Sequence, residues 1–481
     1  MLHREMLING AFIGGPCDSS IGKQLIHDPW DQSVVGAAAE GGWNEARATI
    51  ESAAEAQPAW EQTPMNERTA VLKRVADLIR AERLNLADLM CREIGKPITL
   101  ALGEVDRTAI TFELASELTN QVESPSLSYD PRGANYRASV SRRAVGVVLA
   151  MTPYNWPLNL AAHKIAPALA AGCTLVVKTS PLSPLSTLGL VRLVQSCGLP
   201  PGVLNSVNCD NCAAQAMVEH PLVNALSFTG SERVGWMLKA LVPQKRVTLE
   251  LGGNAIAYVE KSANLPLTAE LLCRSAFAYA GQVCISLQHI LIDEDVYDQF
   301  VELLLARSSK VTIDDPKLES TLCGPVISPA HAERITDFWK DCRHCRVIQG
   351  GTRDGNRVEP TVIELKSFEA ALHGGAKIAN EEVFGPVVTV SPVRAMNEAI
   401  DSVNISKSAI HASIFTASDE IASKFARQVR SAGIVHNDAP NIRFDGLPYG
   451  GERTCGFGRE GVRYAHEEFT WPQSFVHRID A

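Results

Sequence analysis

The chain has 481 residues, of which 46% are hydrophobic and 21% are charged, and its formal net charge is −9. The length predicts two or three domains, and the composition is that of a globular protein with substantial cores. The negative charge argues against a nucleic-acid partner, and because no apolar stretch approaches the roughly 18 residues of a membrane span, no membrane partner is expected.

The first predicted elements are helices. Residues 44–91 and roughly 100–120 keep a helical spacing of apolar side chains, which Pro58 and other proline and glycine residues interrupt. Residues 121–142 are polar and have an extended pattern around 136–140. They favour a detached β segment or an edge strand over a core helix.

From residue 143 onwards, predicted strands and helices alternate. Strands are predicted at 145–150, 174–178, 203–207, 225–228 and 246–251, and helices at 157–171, up to 196, 213–218 and 231–241. This alternation predicts right-handed crossovers and a parallel sheet covered by helices. Ligands bind beyond the carboxyl ends of such strands. Asn155, Lys178, Gly230 and Glu250 all lie at or just after such an end.

A second α/β stretch covers about 255–450. Its first predicted elements are a helix at 266–280, a strand at 290–292 and a helix at 295–308. The tail, 466–481, returns to an extended pattern.

The twelve cysteines are scattered over the whole chain and form no compact disulfide framework. We therefore expect reduced thiols and, because the start of the chain lacks a signal-peptide pattern, a cytoplasmic location. Two C-x-x-C pairs occur, Cys209/Cys212 and Cys342/Cys345, and His344 lies inside the second. The pairs are 130 residues apart (342 minus 212). This favours chance spacing over a shared zinc site, and no metal is expected.

One cysteine and one glutamate stand out by their local contexts. Gly281-Gln282-Val283-Cys284 ends 34 residues (284 minus 250) after Glu250, which opens Glu250-Leu251-Gly252-Gly253-Asn254. Cysteine is the strongest of the common nucleophiles, and a carboxylate can accept a proton from attacking water. Taken alone, Cys284 is better explained as an inert, buried side chain.

Three further segments each have a structural and a functional explanation. Asn155 lies in the proline-bracketed turn 152–157, where its amide serves either the turn or a developing oxyanion. Residues 228–231, Phe-Thr-Gly-Ser, form either a sterically required turn or a helix N-terminus that binds phosphate. Lys178 is either solvated or within reach of a ribose or phosphate. No G-x-G-x-x-G follows a predicted strand, so the standard dinucleotide fingerprint is missing.

Taken together and in one consistent order, these segments resemble motifs of the aldehyde dehydrogenase superfamily over nearly the whole chain. The matching segments are Thr152–Pro157 (oxyanion turn), Val177–Ser180 (ribose-contacting lysine), Phe228–Ser231 (phosphate-side turn), Leu249–Asn254 (general base), Gly281–Cys284 (nucleophile), Glu381–Pro386 (nicotinamide ribose), and Pro448–Gly451 with Gly458–Glu460 (C-terminal signature).

The resemblance implies oxidation of an aldehyde to a carboxylic acid. Cys284 is expected to attack the carbonyl, Asn155 and the Cys284 backbone N–H to hold the oxyanion, and Glu250 to activate the water that hydrolyses the thioester. Lys164 is expected to assist in proton relay. Glu250 favours hydrolysis over acyl transfer to coenzyme A. The alternatives are a coenzyme A-acylating dehydrogenase and a catalytically silent structural or binding member of the family.

The resemblance also implies a nicotinamide cofactor. The expected contacts are Thr152, Pro153, Trp156, Lys178, Ser180, Pro181, Phe228, Thr229, Gly230, Ser231, Leu251, Gly252, Glu382 and Phe384. Many NAD-preferring relatives carry a glutamate where this chain has Pro181, so a carboxylate that would repel a 2′-phosphate is missing. NAD and NADP both remain open. Cys455, where relatives often carry serine, is expected to be a tolerated swap.

The identity of the aldehyde is less accessible. Five residues are expected to border the substrate, namely Arg107, Val283, Ile285, Arg443 and Tyr449. The two arginines could bind an anionic tail, as in relatives that act on lactaldehyde, phosphorylated or phosphonate-type aldehydes or semialdehydes. For Arg107, an ion pair with Glu104 or another acid explains the residue equally well.

The fold class that these features imply is α/β, with a Rossmann-like parallel-sheet cofactor domain and a second α/β catalytic domain. Residues 1–120 and 143–252 are expected to form the NAD(P)-binding domain and residues 253–454 the catalytic domain. Residues 121–142 and 455–481 are expected to form a small β oligomerisation extension. This extension would pair with a neighbouring subunit in a homodimer or homotetramer, because an unpaired edge invites aggregation.

Overall fold

The computed structural model describes residues 2–118, 125–127, 130, 132–340, 342–343, 345–406 and 410–479. The described residues form two large, mainly parallel sheets with helices packed on them, a three-stranded sheet near the N-terminus and two two-stranded ribbons. This architecture confirms the predicted α/β fold.

The N-terminal part contains five strands followed by four helices. The strands are β1 (Leu2–Arg4), β2 (Met6–Ile8), β3 (Ala11–Ile13), β4 (Gly22–His27) and β5 (Val34–Glu40), and the helices are α1 (Trp43–Gln62), α2 (Met65–Ala81), α3 (Arg83–Ile94) and α4 (Ile98–Ser116). Pro58 lies inside α1, so the interruption predicted there is wrong. Buried Ile50 and Trp60 lie on either side of it, and packing of this apolar face stabilises the helix across the proline.

The middle of the chain alternates strands and helices as predicted. The elements are β6 (Tyr136–Ala144), β7 (Val148–Met151), α5 (Asn159–Ala171), β8 (Leu175–Lys178), α6 (Pro184–Ser196), β9 (Leu204–Val207), α7 (Asn211–Glu219), β10 (Ala225–Thr229), α8 (Glu232–Leu241) and β11 (Arg246–Glu250). Strands β7 to β11 pair in parallel in the order β11-β10-β7-β8-β9. The chain moves outward from β7 to β9 and then returns to β10 on the other side of β7. The carboxyl ends of β7 and β10 therefore flank a topological switch point, where ligands bind.

The rest of the chain forms the second sheet and the C-terminal elements. They are β12 (Ala255–Val259), α9 (Leu265–Phe277), β13 (Leu287–Asp293), α10 (Tyr297–Ser308), α11 (Pro329–Thr336), β14 (Cys345–Gln349), β15 (Arg353–Asp354), β16 (Arg357–Val358), β17 (Thr361–Leu365), α12 (Phe368–His373), α13 (Lys377–Asn380), β18 (Val387–Val393), α14 (Met396–Ile405), β19 (His411–Phe415), α15 (Asp419–Gln428), β20 (Gly433–His436), β21 (Gly456–Phe457), α16 (Val462–Glu468) and β22 (Thr470–Arg478).

The second sheet has the order β14-β17-β18-β13-β12-β19-β20, and only β14 is antiparallel to its neighbour. Residues 251–254 connect β11 of the first sheet directly to β12 of the second. Glu250 therefore lies where the two sheets meet. Cys284 lies in the loop that leads from α9 into β13.

Strands β6 and β22 form a separate antiparallel ribbon, paired from Thr470 with Ala144 to Arg478 with Tyr136. Of the expected extension (121–142 and 455–481), residues 121–124, 128, 129, 131, 480 and 481 lie outside the described residues. The expectation that the tail is extended from residue 466 is wrong, because α16 packs against α5 and the extended segment begins at Thr470. The short strand β21 lies in the first sheet, beside β11, rather than in the ribbon.

The structure joins Cys342 to Cys345 in a disulfide, while the other ten cysteines are free. The expectation of reduced thiols is therefore wrong for this pair, because the turn before β14 brings the two Cα atoms within 5.3 Å of each other. His344 lies outside the described residues.

Within the described ranges, no group of three or more His, Cys, Asp or Glu side chains is arranged to hold a metal ion. None of the helices that the structure describes combines the length and apolar character needed to cross a membrane.

Candidate active site

The loop that carries Cys284 turns sharply before the cysteine. Tyr279, Ala280 and Gly281 all have positive φ, at 53°, 51° and 67°. A Cβ atom on Gly281 would lie 2.1 Å from the carbonyl oxygen of Gly385, so only glycine fits at this position. The turn directs the following residues towards the space between the two sheets.

The sulfur of Cys284 is half-buried among mainly apolar side chains. Its Sγ atom lies 2.9 Å from the hydroxyl oxygen of Tyr449. Burial raises the pKa of the Cys284 thiol to about 11, and the Tyr449 hydroxyl and the Arg443 charge act in the opposite direction. Ile285 packs with Tyr449 in a small apolar cluster, to which Val283 is a half-buried neighbour. The two residues predicted to flank the nucleophile as apolar groups therefore do so.

Asn155 reaches the nucleophile loop from the segment between β7 and α5. Its buried Nδ2 atom donates to the carbonyl oxygen of Gln282 at 2.8 Å. The Tyr154 hydroxyl donates to Oε1 of the same glutamine at 3.1 Å. Because an amide group has two N–H donors, the second N–H of Asn155 remains available for an oxyanion beside Cys284.

A buried ion pair holds this oxyanion loop in place. Lys96 pairs with Glu104, and both side chains are fully buried. The Lys96 ammonium also donates to the backbone carbonyl of Asn155 at 2.9 Å. Oε1 of Glu104 accepts from the backbone N–H groups of Leu158 and Asn159 at 2.8 and 3.0 Å, at the beginning of α5. The loop is thus held on both sides of Asn155.

Glu250, the last residue of β11, is buried at 3% exposure. Among the described residues, neither carboxyl oxygen has a hydrogen-bond partner. Burial, and then the Glu460 charge, raise the pKa of Glu250 well above its ordinary value, against the charges of Arg443 and Lys164. A Cβ atom on Gly450 would lie 3.0 Å from Oε1 of Glu250, so the glycine leaves room for this carboxyl group. A carboxylate with a raised pKa is a good acceptor for a proton from water.

Glu460 is shared by two cations. Nζ of Lys164 lies 2.7 Å from Oε1 of Glu460 and donates to the Ser227 hydroxyl at 3.0 Å. Nη2 of Arg443 lies 3.4 Å from Oε2 of Glu460, and the buried Nε of Arg443 has no hydrogen-bond partner within the described part of the chain. Although burial opposes it, these two cations lower the pKa of Glu460. Two positive groups facing one carboxylate leave residual positive charge near Glu250.

Arg107 is already engaged. Its Nη2 and Nε atoms lie 2.6 and 3.1 Å from the two carboxyl oxygens of Asp445. Nε2 of His163 contacts the same carboxylate at 2.8 Å. Arg107 was explained either by substrate contact or by an ion pair, and in the structure it forms an ion pair with Asp445. Glu104, the other candidate partner, is paired with Lys96.

Most of the residues expected to contact the cofactor lie along the carboxyl ends of β7 to β11. Lys178 is buried at the end of β8, and burial lowers its pKa. Thr152, followed by Pro153, begins the loop after β7, and its backbone N–H donates to the Lys178 carbonyl at 3.2 Å. Ser180 is buried, whereas Pro181 is exposed.

The N-terminus of α8 lies beside this row. Ser231 is exposed at the N-cap position, and its side chain makes no capping hydrogen bond. Phe228 and Thr229 end β10 below Gly230. The helix packs closely on the sheet because a Cβ atom on Gly235 would lie 2.3 Å from Leu251. The free N–H groups and positive dipole of this helix end suit a phosphate.

Glu382 and Phe384 approach the same region from the second sheet. A Cβ atom on Gly252 would lie 2.0 Å from Oε2 of Glu382, so the carboxyl group rests against the glycine backbone. Burial raises the pKa of Glu382 to about 8, and its buried Oε1 has no partner among the described residues. Phe384 has a φ of 51°, and its ring meets the edge of Tyr154 at 6.0 Å. A buried carboxyl oxygen without a partner in the described part of the chain, and a helix N-terminus without a side-chain cap, fit a bound dinucleotide.

The ring of Trp156 contacts two cations. Nζ of Lys96 lies 3.5 Å from the centre of its ring, and the Arg107 guanidinium lies 5.3 Å from it. The ring is thus between two cations on the α4 side of the loop.

Sequence reasoning gave no role to Lys96 or Asp445, named Glu104 only as a possible partner of Arg107, and named Glu460 only as part of the C-terminal signature. Glu460 belongs to the C-terminal signature and could have been found there. Asp445 had no local signal, because its partner Arg107 is 338 residues away in the chain.

Residues 18–475 match the aldehyde dehydrogenase family. A 3-sulfolactaldehyde dehydrogenase of Priestia aryabhattai is 35% identical over 405 residues, covering 83% of this chain and 84% of that protein. The crystal structure of aldehyde dehydrogenase 21 from Physcomitrella patens, in complex with the reaction product succinate, superimposes with a TM-score of 0.93 at 30% identity, covering 99% of this chain and 98% of that one. The NADP-dependent glyceraldehyde-3-phosphate dehydrogenase from Bacillus halodurans, complexed with NADP, gives a TM-score of 0.93 at 29% identity and covers 100% of both chains.

Proposed function

Since this chain belongs to the aldehyde dehydrogenase family, we propose that it oxidises an aldehyde to the carboxylic acid, with Cys284 as nucleophile and Glu250 as general base. One observation carries the assignment of these two residues. Tyr449 contacts the sulfur of Cys284, and the next residue, Gly450, lies against the carboxyl group of Glu250. The two reactive side chains thus meet at one turn, although they come from different sheets.

In the proposed mechanism, the Cys284 sulfur adds to the carbonyl carbon of the aldehyde. The oxyanion accepts hydrogen bonds from the second N–H of Asn155 and from the backbone N–H of Cys284. A nicotinamide dinucleotide, when bound, supplies the acceptor for the hydride that this adduct loses, which leaves a thioester on Cys284. Glu250 then takes a proton from water, the hydroxide adds to the thioester carbon, and the carbon–sulfur bond breaks to release the acid and the thiolate.

The residues that would hold the dinucleotide are Lys178, the α8 N-terminus at Ser231, Glu382 and Phe384. Two observations support this assignment: Oε1 of Glu382 has no partner among the described residues, and the α8 N-terminus has no side-chain cap. We retain NAD and NADP as cofactors, because Pro181 offers neither a carboxylate for ribose hydroxyls nor a charge that repels a 2′-phosphate.

For the substrate, we propose a small aldehyde with an anionic group. Arg443 is buried beside Cys284 and Glu250 and shares Glu460 with Lys164. Its Nε atom has no hydrogen-bond partner among the residues that the structure describes. A carboxylate, sulfonate or phosphate could accept its unused N–H donors. This proposal is consistent with the relatives named above, which are a 3-sulfolactaldehyde dehydrogenase, an enzyme in complex with its product succinate and a glyceraldehyde-3-phosphate dehydrogenase.

We also propose the division of the chain into an NAD(P)-binding part (1–120 and 143–252), a catalytic part (253–454) and a β arm that joins copies in a homodimer or homotetramer. The arm is supported by the ribbon of β6 and β22, in which Trp471 to Arg478 are all exposed. An isolated two-stranded ribbon is at best marginally stable in water, so a second subunit is expected to cover it.

The proposed roles predict different losses for two variants. Glu250→Gln should keep a burst of reduced cofactor, equal to about one per active site, and then turn over at least about 100-fold more slowly. Cys284→Ser should lose both the burst and turnover. The measurement is stopped-flow absorbance of the reduced cofactor, with NAD and with NADP and a panel of neutral and anionic aldehydes.

Product analysis completes this experiment. Formation of the free acid without coenzyme A is expected, and a strict requirement for coenzyme A would contradict the hydrolytic mechanism. Loss of the burst in Glu250→Gln to the same extent as in Cys284→Ser would contradict the two roles. If the unchanged protein formed no reduced cofactor with any aldehyde of the panel and Cys284 could not be labelled by a thiol reagent, the enzyme assignment would be contradicted.

A further inference from the structure

We propose that Tyr449 is a catalytic residue whose hydroxyl donates a hydrogen bond to the sulfur of Cys284 and stabilises its thiolate. The sequence suggested only that Tyr449 borders the substrate. This inference rests on the proposed role of Cys284 as the nucleophile. The observation that carries it is the distance of 2.9 Å between the tyrosine Oη and the cysteine Sγ.

Tyr449 is rigidly held, which is what a positioning contact to a nucleophile requires. Its backbone N–H donates to the Glu460 carbonyl at 2.9 Å, and its carbonyl accepts from the Glu460 N–H at 2.7 Å. The side chain is 4% exposed and packs with Ile285, Ile410 and Cys455. The hydroxyl therefore has little freedom to leave the sulfur.

Two further side chains fix the ring of Tyr449. The Arg443 guanidinium lies over the ring, 3.7 Å from its centre, and the edge of His411 meets it at a centroid distance of 5.5 Å. A phenylalanine would fill the same space and keep both contacts. The hydroxyl group is thus the one part of the side chain whose removal leaves the packing intact.

The chemistry of the contact follows from the two groups. A thiolate can only accept a hydrogen bond, and a phenol that keeps its proton can always donate one. Burial raises the pKa of Tyr449 well above its ordinary value, so the hydroxyl stays protonated while the thiol ionises. The charged groups that face this contact are Arg443, Glu250 and, from the second sheet, Glu382. The acids disfavour a thiolate, whereas Tyr449 and Arg443 favour it.

The proposal predicts the effect of Tyr449→Phe on thiol reactivity. Without the donor, the apparent pKa of Cys284 should rise by about one unit, so that alkylation by iodoacetamide at pH 8 slows about tenfold. Both rates should rise up to pH 11, and the difference should persist over most of this range because burial raises the pKa of the Cys284 thiol to about 11. The rate is measured between pH 6 and 11 by mass spectrometry of the Cys284 peptide, with neither aldehyde nor cofactor present.

The protein carries its own controls. Cys17 and Cys212 are exposed free thiols, and their alkylation rates should be the same in both proteins. Tyr297→Phe removes a tyrosine hydroxyl from α10, where it contacts Glu364 at 3.2 Å, and should leave the Cys284 profile unchanged. Tyr449→Met, which also fills an apolar space without a donor, should slow Cys284 as Tyr449→Phe does.

Steady-state and burst kinetics separate this role from substrate binding. In Tyr449→Phe the burst rate at pH 8 should fall about tenfold, while KM for the aldehyde changes less than twofold. An unchanged pH profile of Cys284 in both variants, or a rise in KM with the profile unchanged, would overturn the proposal. Because the alkylation measurement needs no turnover, it gives its result even where the dehydrogenase activity itself is not found.

Discussion

Two arginines border the same site but differ in how far their charge is neutralised. Arg107 has a bidentate partner in Asp445, whereas Arg443 shares Glu460 with Lys164. Within the described ranges, the Nε atom of Arg443 has no hydrogen-bond partner. The residue type alone would not distinguish them. Their partners make Arg443 the better candidate for binding an anionic substrate.

This difference predicts the selectivity of two variants. Arg443→Met should lower kcat/KM for an anionic aldehyde about tenfold to a hundredfold, because a hydrogen bond to a charged group is lost. The kcat/KM for a neutral aldehyde of equal length should change only a few-fold. Arg107→Met is the matched control and should leave the ratio of the two kcat/KM values unchanged. An equal loss on both substrates in Arg443→Met would contradict the proposed anion contact.

At the residue scale, sequence reasoning could propose roles where chemistry is local. Cys284, Glu250 and Asn155 each lie in a short segment with a recognisable pattern, and the structure brings these segments together. It was incomplete where a role depends on a distant partner. The contact of Tyr449 with the sulfur joins residues 165 positions apart, and no local pattern predicts it.

At the scale of elements, the loop between β7 and α5 depends on a pair of residues outside it. Lys96, just before α4, and Glu104, within α4, are both fully buried and hold the Asn155 carbonyl and the first N–H groups of α5. Burial lowers the pKa of Lys96 to about 8, although Glu104 opposes this shift. The pair gives the oxyanion loop its position.

We therefore predict that Lys96→Met destabilises the protein by about 3–5 kcal/mol, because it leaves the Glu104 carboxylate buried without a cation. The free energy of unfolding is measured by urea denaturation. Adding Glu104→Gln to this variant should recover more than half of the loss, since the amide oxygen still accepts from the α5 N–H groups while no buried charge remains. A double variant as unstable as the single one would argue against a role for the ion pair.

The elements themselves were largely predictable between residues 143 and 251, where apolar β-branched strands alternate with helices. The interruption at Pro58 and the extended tail from residue 466 were wrongly predicted. In both places packing outweighed local preference, since the buried face of α1 continues past the proline and α16 packs on α5.

At the scale of the whole molecule, the ribbon of β6 and β22 exposes large apolar side chains to solvent. Phe475 and Val476 are 66% and 58% exposed on β22. Large apolar side chains grouped on an exposed strand are typical of an interface between subunits. This supports a homo-oligomer held together by the arm.

The prediction is that Phe475→Ser with Val476→Ser shifts the protein towards smaller species at micromolar concentration. Sedimentation velocity over a range of concentrations measures this shift. Leu84→Ser on α3, which changes an apolar residue that is 70% exposed outside the ribbon, is the control and should not alter the assembly. A monomeric unchanged protein, or a variant that assembles as before, would contradict the proposal.

The sequence by itself predicted the reaction class through a set of short motifs in one order, and it proposed the nucleophile, the base and the oxyanion donor because each lies in one of these motifs. The pairing of charged side chains required the folded chain. The structure pairs Lys96 with Glu104 and Arg107 with Asp445 because packing buries each cation next to its carboxylate. That packing joins elements that are far apart in sequence. The contact between Cys284 and the Tyr449 hydroxyl also required the folded chain, because Tyr449 follows the last strand of the second sheet in sequence.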